Sequence, residues 1–396
     1  MSFHPNSIQT GLAENSSFGG ELRTVLSYCA TFLKLEMLHV YRQIVGVKSF
    51  RNLVVTRRLE NAALFPHEHV IRLEKSCWRV LNRSWNQLCG SRVPVSRGEA
   101  NQLSKIIRRE NVELVHIYFG TEAARLLSWM PRAGVPIVVS FHGADVSDSI
   151  SNEELKSVFH HATLLLHRSD SLREALLSRG APEEKLRANP TGVPVPRETM
   201  EIHIAKGKPL RLLQACRFIE KKGIDVTLES AKILADMGFD VRLTLAGDGP
   251  QRAELESTAC RLGISSHVRW TGFLNSEQLA GEYRQNDFFL HPSRETSSGD
   301  REGIPNSLLE AMAHGCVALG TRHSGIPEAI EDGVNGLLVD RADARLVADS
   351  ISKVAADPLR AKSLGKAARQ KIVDKFSTEA SIRQLEASYR EAISHD

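Results

Sequence analysis

The chain has 396 residues, 42% hydrophobic and 25% charged, with a formal net charge of +4. At roughly 100–200 residues per domain it is long enough for two or three domains, each with a core, and its balance excludes a disordered, collagen-like or coiled-coil chain. No apolar run reaches the about 18 residues of a membrane-spanning helix.

Residues 1–20 are polar and without periodicity, and no basic segment precedes an apolar one. They read as a loose leader rather than a secretory signal. Leu22–Tyr28 predicts a first strand. Thr31–Val45 predicts a helix, with Phe32, Leu33, Leu35, Met37, Leu38, Val40, Tyr41 and Ile44 at helical spacing. Strands follow at Asn52–Thr56, Leu114–Phe119, Pro136–Phe141 and Thr163–Leu166, with helices at Thr121–Trp129 and Asp170–Ser178. Residues 189–208 hold three prolines and no pattern, and read as a linker. The alternation then restarts. Strands are predicted at Leu210–Ala215, Val241–Ala246, Val268–Trp270, Phe288–Leu290, Val317–Leu319 and Gly336–Val339. Helices are predicted at Gly223–Met237, Gln251–Leu262, Ser276–Arg284, Pro305–Ala313 and Ile326–Ile330, and residues 341–396 read as helical.

Apolar strands separated by helices indicate parallel sheets covered on both faces. The fold class is therefore α/β, with two Rossmann-like doubly wound domains facing across a cleft: residues 1–198, residues 199–375, and a C-terminal helix in 376–396 packing back on the first domain. Ligands in such sheets bind at the carboxyl ends of the strands.

The most informative block there runs from Asp287 to Gly315. A strand ends near His291, a polar loop follows, and a helix opens at Pro305 and stops at Gly315. The N–H groups of Ile304, Asn306, Ser307 and Leu308, on either side of Pro305, surround the helix start, a site suited to a diphosphate. Glu302 precedes the helix and Glu310 lies within it, so one can reach a sugar near the phosphate while the other accepts from a ribose diol. As surface side chains, both would be unremarkable.

The Glu-x7-Glu spacing in REGIPNSLLEAMAHG resembles glycosyltransferase family 4, of the two-domain GT-B fold. Four other stretches agree in order: Ala215–Gly223, Leu245–Pro250, Thr271–Phe273, and Gly325–Glu328 with Glu331–Gly336. Together they cover about residues 114–375, and several ordered motifs are more specific than one glycine turn. The resemblance implies a retaining transferase that moves a hexosyl unit from a UDP- or GDP-sugar to a glycan or lipid-linked saccharide in cell-surface polysaccharide synthesis. Arg217 and Lys222 would stabilise the departing diphosphate, the first as a fork and the second as a mobile point charge. Gly272 and Phe273 would read the base. His142, in a His-Gly-x-Asp segment, would lie under the donor sugar with Glu302, and Asp145 would orient the loop or touch the acceptor. Asp248 reads as a cap of the helix after it, and Ser293 as a further phosphate contact beside His291. No Asp-x-Asp motif is present, so no metal or other cofactor is expected.

The chain departs from the family where a glycine-rich loop usually follows the first strand. Here Phe18-Gly19-Gly20 precedes it, and these glycines are not assigned to phosphate. Residues 23–100 match the family poorly, which leaves the acceptor least determined.

The six cysteines form no CxxC pair, so they read as reduced thiols of a cytoplasmic protein. Residues 1–200 carry 25 Lys and Arg against 19 Asp and Glu. This suits an ordinary surface or an anionic one, and Thr31–Val45, with Arg42, Lys48, Arg51, Arg57 and Arg58 nearby, is a candidate for the inner membrane face. No nucleic-acid partner is expected. A sugar phosphorylase, an epimerase and a non-catalytic nucleotide-sugar-binding subunit remain alternatives.

Overall fold

The computed structural model describes residues 22–34, 37–74, 97–142, 150–198, 202, 204–205, 207–296 and 303–394. The N-terminal strands are β1 (Thr24–Phe32), β2 (Arg51–Leu59), β3 (Val70–Arg72), β4 (Val112–Tyr118), β5 (Ile137–Ser140), β6 (Leu164–His167) and β7 (Leu186–Ala188). They form one parallel sheet in the order β3-β2-β1-β4-β5-β6-β7. Between them lie α1 (Leu38–Gly46), α2 (Arg97–Arg109), α3 (Gly120–Arg125), α4 (Asn152–His161) and α5 (Asp170–Ser178). Successive side chains of a strand face opposite ways. Accordingly Val25, Leu114, Val138 and Leu164 fill one core, and their neighbours Leu26, Val115, Val139 and Leu165 another. Burial on both faces explains why these strands are nearly unbroken apolar runs.

The second sheet comprises β8 (Leu210–Ala215), β9 (Val241–Ala246), β10 (Val268–Gly272), β11 (Phe288–His291), β12 (Val317–Thr321) and β13 (Leu337–Val339). Its order is β10-β9-β8-β11-β12-β13, again parallel. Its helices are α6 (Ile224–Asp236), α7 (Arg252–Arg261), α8 (Ser276–Gln285), α9 (Asn306–His314), α10 (Ile326–Ala329), α11 (Ala344–Ala355) and α12 (Pro358–Lys371). A π-helical turn, Ile372–Phe376, then leads to α13 (Thr378–Ser394). Strand order reverses between β1 and β4 and between β8 and β11, the switch points at which such sheets open a crevice.

Helix α13 lies on the N-terminal sheet. Leu385, Tyr389 and Ala392 enter the core of Val25, Leu114, Val138 and Leu164. The Tyr389 hydroxyl lies 2.7 Å from His116 Nδ1, and the Glu386 carboxylate accepts from Lys48 N, Ser49 N and Ser49 Oγ.

Several expectations change. Strand β1 continues through Phe32, paired to Leu59, so the predicted helix Thr31–Val45 shrinks to Leu38–Gly46. The apolar residues of a buried strand run into those of a helix, and periodicity alone does not separate them. Of the basic residues near this segment, Lys48 and Arg58 are exposed, and the other three are paired. Helix α1 is packed against α13, Arg42 pairs with Glu310, Arg51 with Glu110 and Arg57 with Glu122. The linker starts as buried chain: Asn189, Thr191 and Val193 are covered, and Val193 N donates to Phe376 O at 2.9 Å while Thr378 N donates to Val193 O at 2.9 Å. Helix α3 ends at Arg125, short of Trp129. Among the described residues, no helix is long and apolar enough to cross a membrane.

Candidate active site

Four loops at the carboxyl ends of the C-terminal sheet interlock through glycine. After β8, the 3-10 turn Glu220–Lys222 is tied to its own strand, with Gln214 Nε2 donating to Lys222 O at 2.8 Å. The turn closes on Gly223, with φ +63°, where a Cβ would lie 2.0 Å from Pro292 O in the loop after β11. After β9, Gly247 has φ +134°, and a Cβ there would lie 1.9 Å from Cys216 O. A Cβ on Gly249 would meet Phe218 O at 2.5 Å. After β12, a Cβ on Gly325 would come within 2.8 Å of Ile304 Cγ1. The loops bearing Arg217, Lys222 and Ile304 are thus pressed together, backbone on backbone, at the β8/β11 switch point.

Helix α9 starts there. Pro305 is its N-cap, with φ −68° and ψ 125°, one residue ahead of the helix rather than its first residue as predicted. Its carbonyl accepts from Leu308 N at 3.1 Å and Leu309 N at 3.2 Å. The N–H groups of Asn306 and Ser307 fall in the first turn, where a helix has no carbonyl to offer them. Asn306 is exposed and Ser307 half-buried. The helix ends on Gly315 with φ +91°, the left-handed cap its sequence suggests.

Arg217 is exposed just past β8, and Lys222 is half-buried. Glu310, one turn into α9, accepts from Tyr283 Oη at 3.3 Å, and Arg42 Nη1 of α1 lies 3.7 Å from its other oxygen. Burial raises the Glu310 carboxyl above the usual range, against the pull of Arg42 and Tyr283. On the outer side, Gly272 has φ +70° with nothing within 4 Å of a would-be Cβ, and Gly247 N donates to its carbonyl at 2.8 Å. Phe273 beside it is 73% exposed. Asp248 does not cap α7: it accepts from its neighbour Gly249 N at 2.7 Å, and Gln251 is the cap residue. Ser293 and His291 are buried at the end of β11, and Ser293 Oγ has no hydrogen-bond partner among the described residues.

The opposite wall comes from the N-terminal sheet. His142 follows β5, and its ring lies on Phe119, with centroids 4.4 Å apart. Phe119 follows β4 with φ +78°, a conformation costly for a residue with a Cβ. Arg168 Nη1, just past β6, is 3.1 Å from His142 Nδ1 and 3.3 Å from His39 Nε2 of α1. Glu328 of α10 crosses between the sheets and accepts from Asp170 N at 2.8 Å and Ser171 N at 3.4 Å, capping α5.

The structure therefore groups Arg217, Lys222, Ile304, Pro305, Asn306, Ser307 and Glu310 on one wall, with Gly272 and Phe273 at its outer edge. It sets His142 on the other wall. Glu302 and Asp145 lie outside the described residues. His39, Arg42 and Arg168 are additional. Arg42 carries a legible signal, a basic residue one turn after His39 on an amphipathic segment, whereas Arg168 acquires a role only through the strand order. Among the described residues, no three His, Cys, Asp or Glu side chains cluster to hold a metal. Among the described residues, Cys29, Cys216, Cys260 and Cys316 form no disulfide.

Comparison with known proteins agrees with this layout. Residues 55–197 match the model "Glycosyltransferase Family 4", and residues 196–371 match "Glycosyl transferases group 1". The amylovoran biosynthesis glycosyltransferase AmsK of Erwinia amylovora is 33% identical over 280 residues, 69% of each chain. The putative colanic acid biosynthesis glycosyltransferase WcaL of Salmonella typhimurium is 34% identical over 273 residues, 67% of this chain and 66% of that one. Among solved structures, Anabaena Alr3699/HepE in complex with UDP superposes with a TM-score of 0.73 at 17% identity, over 93% of this chain and 100% of that one. This chain belongs to the glycosyltransferases of family 4 and group 1, on the GT-B fold.

Proposed function

We propose that the chain moves a hexosyl unit from a UDP- or GDP-sugar, with retention at the anomeric carbon, onto a glycan or lipid-linked saccharide during synthesis of a cell-surface polysaccharide. The names of AmsK and WcaL support the polysaccharide context, and the UDP held by HepE supports a nucleotide donor. The observation that carries the reading is the closure of the loops after β8, β9 and β11 around the start of α9, beside Arg217 and Lys222.

In this reading the diphosphate lies on the N–H groups of Asn306 and Ser307, with Arg217 and Lys222 adding fixed positive charge. That charge grows in value as the glycosidic bond breaks, so the site works without a metal ion. Glu310 accepts from the ribose hydroxyls, and the exposed Phe273 ring with the Gly272 backbone receives the base. His142 and Glu302 position the sugar, and Asp145 orients its loop toward the acceptor. The acceptor hydroxyl attacks on the leaving-group side. Its oxygen bonds to the anomeric carbon as the bond to the diphosphate breaks, and its proton passes to the departing diphosphate oxygen.

Thermal-shift screening against UDP, GDP and a panel of their sugars tests this. A ligand at a hundredfold excess over Kd stabilises by about 2.7 kcal/mol, so one nucleoside should raise the melting temperature and the other should not. Absence of a shift with every nucleotide would overturn the reading. Phosphate-dependent release of a sugar phosphate would identify a phosphorylase instead.

A further inference from the structure

Arg168, His142 and His39 come from three separate segments: the end of β6, the end of β5 and the second residue of α1. A guanidinium can donate hydrogen bonds but cannot accept them. Its Nη1 lies 3.1 Å from His142 Nδ1 and 3.3 Å from His39 Nε2. Each of those ring nitrogens must therefore present a lone pair. The proton of His142 then resides on Nε2, and that of His39 on Nδ1. The 3.3 Å separation between His39 Nε2 and His142 Nδ1 is a contact of two lone pairs, which the two N–H bonds of Arg168 Nη1 bridge.

We propose that Arg168 is a positioning residue that fixes His142 as the neutral Nε2–H tautomer, making it a hydrogen-bond donor to a substrate oxygen and never a base. The assignment rests on the donor reading above for the identity of that oxygen, but not for the tautomer. The surroundings agree. Burial first, and then Arg168, His39 and His116, hold the His142 ring well below the usual imidazole range. Burial, Arg168 and Arg42 push His39 down to about 3. Among the groups facing His142 are Arg168 from β6, His39 from α1, and His116 and Tyr118 from β4, with the Phe119 ring against its own. A second proton on either ring would point an N–H bond at the guanidinium.

Ring 15N–1H correlation spectra of the whole chain test this directly, with His142 assigned by the signals lost in His142→Asn. The expected pattern is a protonated Nε2 and a bare Nδ1 across the neutral range. A protonated Nδ1 in the wild-type spectrum would overturn the proposal, and this readout does not depend on any Arg168 variant folding. In Arg168→Met, kcat should fall roughly tenfold to a hundredfold, with the nucleotide-induced thermal shift unchanged. In the same variant the Nε2–H pattern of His142 should give way to a mixture with Nδ1–H, whereas Arg168→Lys, which still donates, should keep the wild-type pattern. A Met variant with wild-type ring signals refutes the role. A wild-type chain that shows the Nε2–H pattern but no thermal shift with any nucleotide refutes the donor reading alone.

Discussion

On its C-terminal side the cleft presents mostly backbone: the first turn of α9, and glycine turns seated against carbonyls where a Cβ would come within 1.9–2.5 Å. On its N-terminal side it presents side chains: His39, Arg42, His142 and Arg168, with the Phe119 ring beneath. Peptide N–H groups suit a part shared by many substrates, such as a diphosphate, because they recognise charge and not outline. Imidazole and guanidinium groups, with their directional donors, suit the part that differs from one substrate to another. The N-terminal wall can thus change by substitution while the C-terminal wall holds its shape.

The largest expected break falls on the exposed cation of the backbone-built wall. Arg217→Met should lower kcat by about 10²–10³ without moving the melting temperature, because Arg217 is exposed. An unchanged kcat would remove the charge-stabilising role. Next, Gly247→Ala should cost roughly 3 kcal/mol in denaturant unfolding, since a Cβ both overpacks and strains the turn. Gly272→Ala, with open space around it, should cost only about 1 kcal/mol; equal costs would mean that close approach does not shape this wall. The smallest effect belongs to the opposite side. Burial works to raise the Glu386 carboxyl, but the Ser49 N–H and hydroxyl and the Lys48 N–H outweigh it and hold the group below the usual range. A depressed folded pKa stabilises above the unfolded value of 4.5, and that stability is lost as pH falls through the folded value. Glu386→Gln should therefore cost about 1 kcal/mol at pH 7, and the difference from wild type should vanish in acid.

The C-terminal half is the more legible of the two. Strands β8 and β9 occupy Leu210–Ala215 and Val241–Ala246 as their apolar runs indicate, because Pro, Gly and Asp bracket them and both faces are buried. In the N-terminal half, α5 occupies Asp170–Ser178 as read, behind a Ser169 cap. Strands β3 and β7, three residues each at the sheet edges, are too short to leave a pattern. Two helices were missed despite a signal. Ser151 and Glu154 form a capping box ahead of α4, and Leu103, Ile106 and Ile107 mark the buried side of α2. In the site, the Glu310 helix was legible from local spacing. The meeting of His39, His142 and Arg168 was not, since His39 lies over a hundred residues from the other two and joins them only through the order in which β1, β4, β5 and β6 are laid side by side.

The chain passes between the two sheets twice, near Val193 and near Phe376, and Val193 hydrogen-bonds both Phe376 and Thr378. Gly192 lets the passages touch, since a Cβ there would sit 2.7 Å from Thr378 Cα. Two tethers stitched at one point behave as a door on a single pin. Any rotation of one sheet against the other would turn about that seam, and it would have to break the Arg42–Glu310 and Glu328–Asp170 contacts.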